Sequence, residues 1–414
     1  MTQADKPQAK TSQAQAGTAS FIATMLCVWI IVGVTMGRSQ SMGLYQIPFL
    51  GDVKLTSEVF SIAIGLSQLM MGVAAPFTGA WIDKLGAGKI IIVCVFIAAA
   101  GLGLMYLATT GEMLMLSGVL MGIGASGLGV SSLVGAVSRA APPEKRLSAI
   151  ASIGMAAGIG SFIAVPLIHL LMQYVGWQQS LLWLIGITLL LIPVALPLMG
   201  KPPVVEGALR EQTLSEALRE AIAHPSFWLL TAGFFVCGFH VAFIVTHLPN
   251  FAKTQGLESW VGPWAIALVG VANIVGTFIA GQSGRFIEKR RGLSLIYFAR
   301  AIVFAGFLLL PPNAWTIIAL CTVLGLFWLS TIPLTSGLVA TFFGTQWMSM
   351  LFGIVFLSHQ IGSFLGVWLA GRLFDMTKSY DMMWWISIAL GLVSALLNWP
   401  ISEKPVARLQ AKVA

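Results

Sequence analysis

Twelve apolar runs separated by short polar breaks organise this chain, at about 20–48, 55–82, 88–109, 112–137, 148–174, 178–199, 225–250, 261–283, 292–311, 313–340, 347–372 and 380–400. Each reaches or approaches the ~20 residues that a helix needs to cross the hydrocarbon core of a bilayer. The pattern predicts an all-α membrane protein with twelve transmembrane helices. Its longest polar break, Lys201 to Ser226, falls at the middle. The chain therefore divides into a tail at 1–19, a six-helix bundle at 20–199, a linker at 200–224, a second six-helix bundle at 225–401 and a tail at 402–414. The first tail is expected to be disordered, and its polar residues show no cleavable signal pattern. The linker opens with Pro202-Pro203 and carries Thr213-x-x-Glu216, the spacing of a capping box. Leu214, Leu218 and Ile222 recur on one face, which predicts a short amphipathic helix lying on the membrane surface.

Charge changes the picture by giving it a direction. Hydrophobic residues make up 57% of the chain and charged residues 9%, too little polar surface for a water-soluble fold of this size. The net charge of +8 does not mark a nucleic-acid binder, because its carriers are sorted by side. With the N-terminus in the cytoplasm, 17 of the 23 Lys and Arg fall in cytoplasmic segments. Lys54, Lys253, Arg372 and Lys378 fall on the other side, and Arg38 and Arg300 lie within apolar runs. This asymmetry predicts a multi-pass cell-membrane protein with both termini in the cytoplasm. Cys27, Cys94, Cys237 and Cys321 all lie within apolar runs and read as small hydrophobes. Gly122, Gly124 and Gly127 spell a dinucleotide-binding string, but inside an apolar run with no strand before it. No metal-binding or nucleophile motif occurs, so no cofactor, metal or enzymatic role is expected.

The two halves repeat. Gly79-x-x-x-Asp83-Lys84 ends the second run, and Gly284-x-x-x-Glu288-Lys289 ends the eighth, 205 positions later. Ile159-Gly160-Ser161-Phe162 in the fifth run matches Ile361-Gly362-Ser363-Phe364 in the eleventh, 202 positions later. Two six-helix bundles related by a pseudo-two-fold repeat follow. In such proteins the substrate site lies near the midplane between the repeats, and rocking of one against the other alternates access.

Gly79-Ala80-Trp81-Ile82-Asp83-Lys84-Leu85-Gly86-Ala87-Gly88-Lys89 resembles the loop 2–3 signature of the major facilitator superfamily. Cys237 to Ile244 with Thr246-His247-Leu248-Pro249, and Leu357 to Phe364, are similar to its bacterial branch related to monocarboxylate transporters and oxalate/formate antiporters. The resemblance covers essentially the whole chain. It implies secondary transport of a small organic acid, often coupled to protons or to exchange, and it implies that spans 3, 6, 9 and 12 are peripheral. This sequence departs from that branch in two places. The eighth run lacks the charge that monocarboxylate carriers typically have there, and the eleventh has His359 and Gln360 where oxalate/formate carriers add a Lys. Arg300, in the ninth run, is not equated with the family's arginine of span 8.

A bare guanidinium at membrane depth is a functional-site hypothesis. By these boundaries no Asp or Glu lies in the middle of any run, so the simplest partner for Arg38 is an anionic cargo. Arg38, Ser41 and Tyr45 fall at i, i+3 and i+7 on one helix face, a planar fork beside hydroxyl groups. The other reading of Arg38 is snorkelling to the outer surface. For Arg300, roughly 10–14 Å from its cytoplasmic helix end at 1.5 Å per residue, snorkelling is the expected behaviour. His240 and His247, two turns apart in the seventh run, are candidates for proton coupling, and His240 also for substrate contact. His359 and Gln360 interrupt the eleventh run and read as cavity lining or as glue between helices. Asp83, Lys84, Lys89 and Glu288 are expected to form a cytoplasmic gating latch.

The function expected is secondary active transport of a small, monocarboxylate-like organic anion by alternating access, coupled to protons or to exchange. Its partners are that anion, protons and the lipid bilayer, with no nucleic acid and a monomeric state. Export of hydrophobic drugs is the alternative, disfavoured by the lack of buried acids. A membrane sensor without transport is the alternative of another class.

Overall fold

The computed structural model describes residues 6–55, 57–199, 212–258, 260–284 and 286–410. Among the described residues twelve helical spans are long and apolar enough to cross a membrane: Phe21–Tyr45, Ile62–Leu85, Ala87–Leu107, Gly111–Ser138, Arg146–Ala164, Trp177–Leu198, Pro225–Leu248, Trp264–Ser283, Lys289–Leu309, Ala314–Phe343, Met348–Phe374 and Asp381–Asn398, here spans 1 to 12. No strand occurs among the described residues. The first helix begins at Lys6, inside the segment read as a tail, where Ala and Gln favour helix.

The repeat is visible in packing. Span 1 lies on span 5 and span 7 on span 11. Gly160 of span 5 sits where a Cβ would strike the carbonyl of Gly33, and Gly362 of span 11 sits likewise against the carbonyl of Phe235. Both members of the second pair are displaced by 202 positions from the first. A side chain at either glycine would push the helices apart, so close backbone approach explains the repeated Ile-Gly-Ser-Phe string.

Spans 4, 6 and 10 are interrupted, span 6 at Leu190, and the breaks in spans 4 and 10 fall at corresponding places of the two repeats. Span 4 is interrupted at Gly129, between helices Gly111–Leu128 and Val130–Ala140. Span 10 is interrupted between Ala314–Leu326 and Thr331–Phe343. Pro333 falls in the first turn of the second half-helix, where a missing N–H costs nothing. Corresponding interruptions in two repeats are a pointer to the transport pathway.

The end of the molecule that carries the basic loops is closed. There one apolar core runs through both bundles, from Val28 and Ile31 of span 1 to Phe352 and Phe356 of span 11. Towards the other end the core divides in two. One part, with Tyr45, Phe49 and Leu181, belongs to the first bundle; the other, with Phe243, Phe304 and Trp384, belongs to the second. The bundles meet along two seams. Span 2 packs on span 11 from Gly79 against Ser349 to Gly65 against Phe364, and span 5 packs on span 8 from Ala151 against Gly281 to Gly158 against Asn273.

The linker forms the helix Leu214–Ile222, with Thr213 and Glu216 closing the capping box at 2.8 and 3.3 Å. Its inward face differs from the expected one. Ala217 and Ala221 are buried, whereas Leu214 and Ile222 point outward. The two small side chains let this helix lie close on the ends of spans 7 and 10.

Candidate functional site

Arg38 lies near the end of the helix Lys6–Ser41, before a single 3-10 turn at Met42–Tyr45. It is 6% exposed. Its Nη1 donates to the Thr188 hydroxyl of span 6 at 3.2 Å. A guanidinium has five N–H donors, and among the described residues no carboxylate pairs with this one. Tyr45 hydrogen-bonds Ser180 of span 6 at 2.8 Å, and Ser41 donates to its own helix at the Gly37 carbonyl. The α-helix ends at Ser41, so the three residues do not share one continuous helix face; Arg38 and Tyr45 both turn towards span 6, and the Ser41 proton is already engaged.

His240 and His247 occupy the same two places in the second bundle, each 202 positions after Arg38 and Tyr45. His240 donates from Nε2 to the Ser387 carbonyl of span 12 at 2.9 Å, with its ring 4.5 Å from Phe304 of span 9. His247 donates from Nε2 to the Val367 carbonyl at 3.0 Å, so its Nδ1 accepts from the Tyr380 hydroxyl at 3.3 Å. The partners Thr188 and Ser180 of span 6 are thus answered by the Ser387 carbonyl and Tyr380 at the span 12 side, 199 and 200 positions later. The seam between spans 1 and 6 repeats as the seam between spans 7 and 12, with a permanent charge in one and titratable rings in the other. His240 is fully buried, whereas His247 is partly exposed.

His359 and Gln360 lie near mid-length of span 11. His359 Nδ1 and Gln360 Oε1 are 2.8 Å apart, and the His359 ring stacks on Phe356 at 5.2 Å and tilts against Phe234 at 5.0 Å. Gln360 Nε2 donates across the bundle interface to the Gln68 carbonyl of span 2 at 3.0 Å. Gln68 was not singled out from the sequence, although a Gln inside an apolar run is a visible signal.

At the basic end, Asp83 is buried and its Oδ2 accepts the Met350 N–H at 2.9 Å. Met350 lies in the first turn of the helix Met348–Thr377. A carboxylate of one bundle thus caps the positive helix end of the other. Lys84 and Lys89 stand exposed. Glu288, the matching acid of the second repeat, pairs with Arg290 and Arg291 of its own bundle at 2.9 Å each.

Arg300 corrects the sequence reading. It does not snorkel to the interface but is 1% exposed. Its Nε and Nη2 donate to the Phe327 carbonyl at 3.2 and 2.5 Å, and Nη2 also reaches the Trp328 carbonyl at 2.5 Å. Those carbonyls are exposed by the interruption of span 10, and they satisfy the guanidinium closer than the interface does. No group of three or more His, Cys, Asp or Glu among the described residues has the arrangement of a metal site.

Twelve spans in two repeated bundles, closed at one end by paired seams and a cross-bundle helix cap, define a membrane carrier. The chain belongs to the Major Facilitator Superfamily, whose sequence profile matches residues 17–367. It is 26% identical over 399 residues to YcxA, an uncharacterized MFS-type transporter of Bacillus subtilis, covering 91% of this chain and 94% of that one. It is 24% identical to monocarboxylate transporter 12-B of Danio rerio, covering 86% and 81%. Its fold is similar to that of the E. coli fucose:proton symporter, with a TM-score of 0.70 at 16% identity over 92% of this chain and 99% of that one.

Proposed function

We propose that the chain is a secondary transporter that moves a small organic anion of the monocarboxylate kind across the cell membrane by alternating access. The basic end and both termini face the cytoplasm in this reading, so the described state is shut on the cytoplasmic side. The observation that carries the proposal is Arg38: a buried guanidinium with one hydrogen bond to Thr188 and no pairing carboxylate among the described residues. Burying such a group is costly unless it is paired, and a carboxylate cargo supplies the pair. Tyr45 and Ser41 flank it, and His359 and Gln360 belong to the same pathway on the opposite bundle. His240 and His247, at the positions equivalent to Arg38 and Tyr45, provide titratable groups for coupling to protons or to exchange of a second anion. The monocarboxylate transporters among the relatives support the cargo class.

The test is uptake of labelled short-chain monocarboxylates by the purified protein in liposomes. Wild-type uptake should be saturable, and Arg38→Gln should abolish it while leaving the melting temperature within a few degrees. Uptake with unchanged apparent KM in Arg38→Gln removes Arg38 from the site. Binding without any uptake favours the sensor, and transport confined to lipophilic cations favours the drug exporter.

A further inference from the structure

The interruption of span 10 is held from three sides. Arg300 of span 9 engages the Phe327 and Trp328 carbonyls. Asn273 of span 8 accepts the Leu329 N–H on Oδ1 at 2.9 Å. Cys237 of span 7 lies 3.4 Å from the Thr331 hydroxyl at the start of the second half-helix. A helix that stops inside a membrane leaves carbonyls without partners, which is costly in hydrocarbon. It also presents a partial negative charge at its last turn. A guanidinium answers both, and the Tyr297 ring lies 5.5 Å below it.

Among the described residues the first bundle shows no such clamp. The residue 202 positions before Arg300 is Ala98. The interruption at Gly129 is one residue long and is bridged by hydroxyls, with Ser132 donating to the Ser126 carbonyl at 2.5 Å and Thr78 3.4 Å from Ser132. Among the described residues the charged clamp is found at span 10 alone.

Asn273 also touches the other bundle. While Oδ1 holds Leu329, Nδ2 lies against Gly158 of span 5, close enough to crowd a Cβ built there at 3.1 Å. One turn away, Gly154 of span 5 packs on Thr277 and on Leu329 itself. The interruption is thus joined through Asn273 and Leu329 to the seam between spans 5 and 8, which must part if the basic end is to open.

We propose that Arg300 and Asn273 are positioning residues that make the interruption of span 10 a hinge. They hold the half-helix Thr331–Phe343 where it closes the basic end, and parting of the span 5/8 seam draws Asn273 away from Leu329 and frees that half-helix to swing. This rests on alternating access but not on the identity of the cargo. Arg300 Nη1 has no protein partner among the described residues, so a direct role in holding the anion is the rival to be separated.

The experiment measures spin-label distances between Lys145 and Thr345, at the basic ends of the two bundles, without substrate, and then uptake kinetics for the same variants. Arg300→Gln, Arg300→Lys and Asn273→Ala should each broaden the distance distribution towards longer values. In uptake they should lower the maximal rate about tenfold with apparent KM within about twofold. Lys keeps the charge but lacks the fork that spans two carbonyls, so it should not rescue. A many-fold rise in KM that Arg300→Lys restores assigns Arg300 to the anion and overturns the hinge. So do unchanged distances in Asn273→Ala, a variant that removes an uncharged side-chain amide and keeps the test open where an Arg300 variant fails to fold. Because the distances are read without substrate, failure of the cargo reading leaves this result standing.

Discussion

Asp83→Asn is expected to loosen the basic end of the carrier without changing the number of heavy atoms in the seam. Asp83 is buried and accepts the Met350 N–H at 2.9 Å from the opposite bundle. A hydrogen bond to a charged group is worth about 1.5–3 kcal/mol, against about 0.5–1.5 for a neutral one. A carboxylate at a helix N-terminus gains a further ~0.3–2 kcal/mol from the dipole. Asn keeps the acceptor and loses the charge, so the closed state should lose about 1–2 kcal/mol, a shift of roughly tenfold in the closed-to-open ratio. Asp83→Ala removes the acceptor as well and should shift it further. The assay uses a single cysteine at Ser148, which accepts from Gln282 across the span 5/8 seam at 3.2 Å, in a background without the four native cysteines. The labelling rate by a membrane-impermeant maleimide then reports how often the seam opens. The rate should rise in the order wild type, Asp83→Asn, Asp83→Ala. Equal rates in all three would refute the cross-bundle cap as a determinant of closure.

Gly160→Val and Gly362→Val should each force apart a helix pair whose backbones touch, destabilising their bundle by about 1–3 kcal/mol or more. A lowered melting temperature in detergent checks this, and equal tolerance of Val at both sites would refute the repeated close contact. Burial against Phe342, the larger effect, outweighs the hydrogen bond to the Lys404 backbone and pulls the His224 imidazole below its usual value. Above pH about 6.5 the ring is neutral in the folded and unfolded chain alike. As the pH falls, the unfolded chain takes up the proton first, so stability is lost towards acid. His224→Phe should flatten that slope between pH 7 and 5 in thermal melts, and an unchanged slope would show that His224 does not titrate with unfolding.

The spans, the repeat and the start of the linker helix were legible because each depends on local pattern. Twenty apolar residues, a 202-residue offset and Thr213-x-x-Glu216 need no knowledge of neighbours. Legibility failed where a neighbour decides. Periodicity placed Arg38, Ser41 and Tyr45 on one face but could not say that the α-helix ends at Ser41 or that Arg38 and Tyr45 turn towards span 6. The linker helix showed a leucine stripe, yet packing selected Ala217 and Ala221, because close approach rewards small residues. Arg300 looked close enough to the interface to snorkel. The carbonyls of Phe327 and Trp328 are nearer, and they exist as acceptors only because span 10 breaks beside it. Asn273 and Gln68 were visible as lone polar residues in apolar runs, a signal that gives cost but not role.

The duplication supplies a symmetric frame, and the charges break it. Arg38 is matched by His240, and Arg300 is matched by Ala98, so each of these two buried arginines stands where its twin has no arginine. The two arginines also differ in what surrounds them. Arg300 faces two carbonyls at the negative end of a half-helix, an arrangement that fixes it in place. Arg38 has one hydroxyl and the rest of its donors to offer. A permanent charge held by a helix end is well placed to set the shape of the pathway. One held by a single neutral partner is well placed to exchange that partner for an anion. If the two roles were reversed, neutralising Arg300 would raise apparent KM and neutralising Arg38 would lower only the maximal rate. The division of labour therefore stands or falls on which arginine moves which kinetic constant.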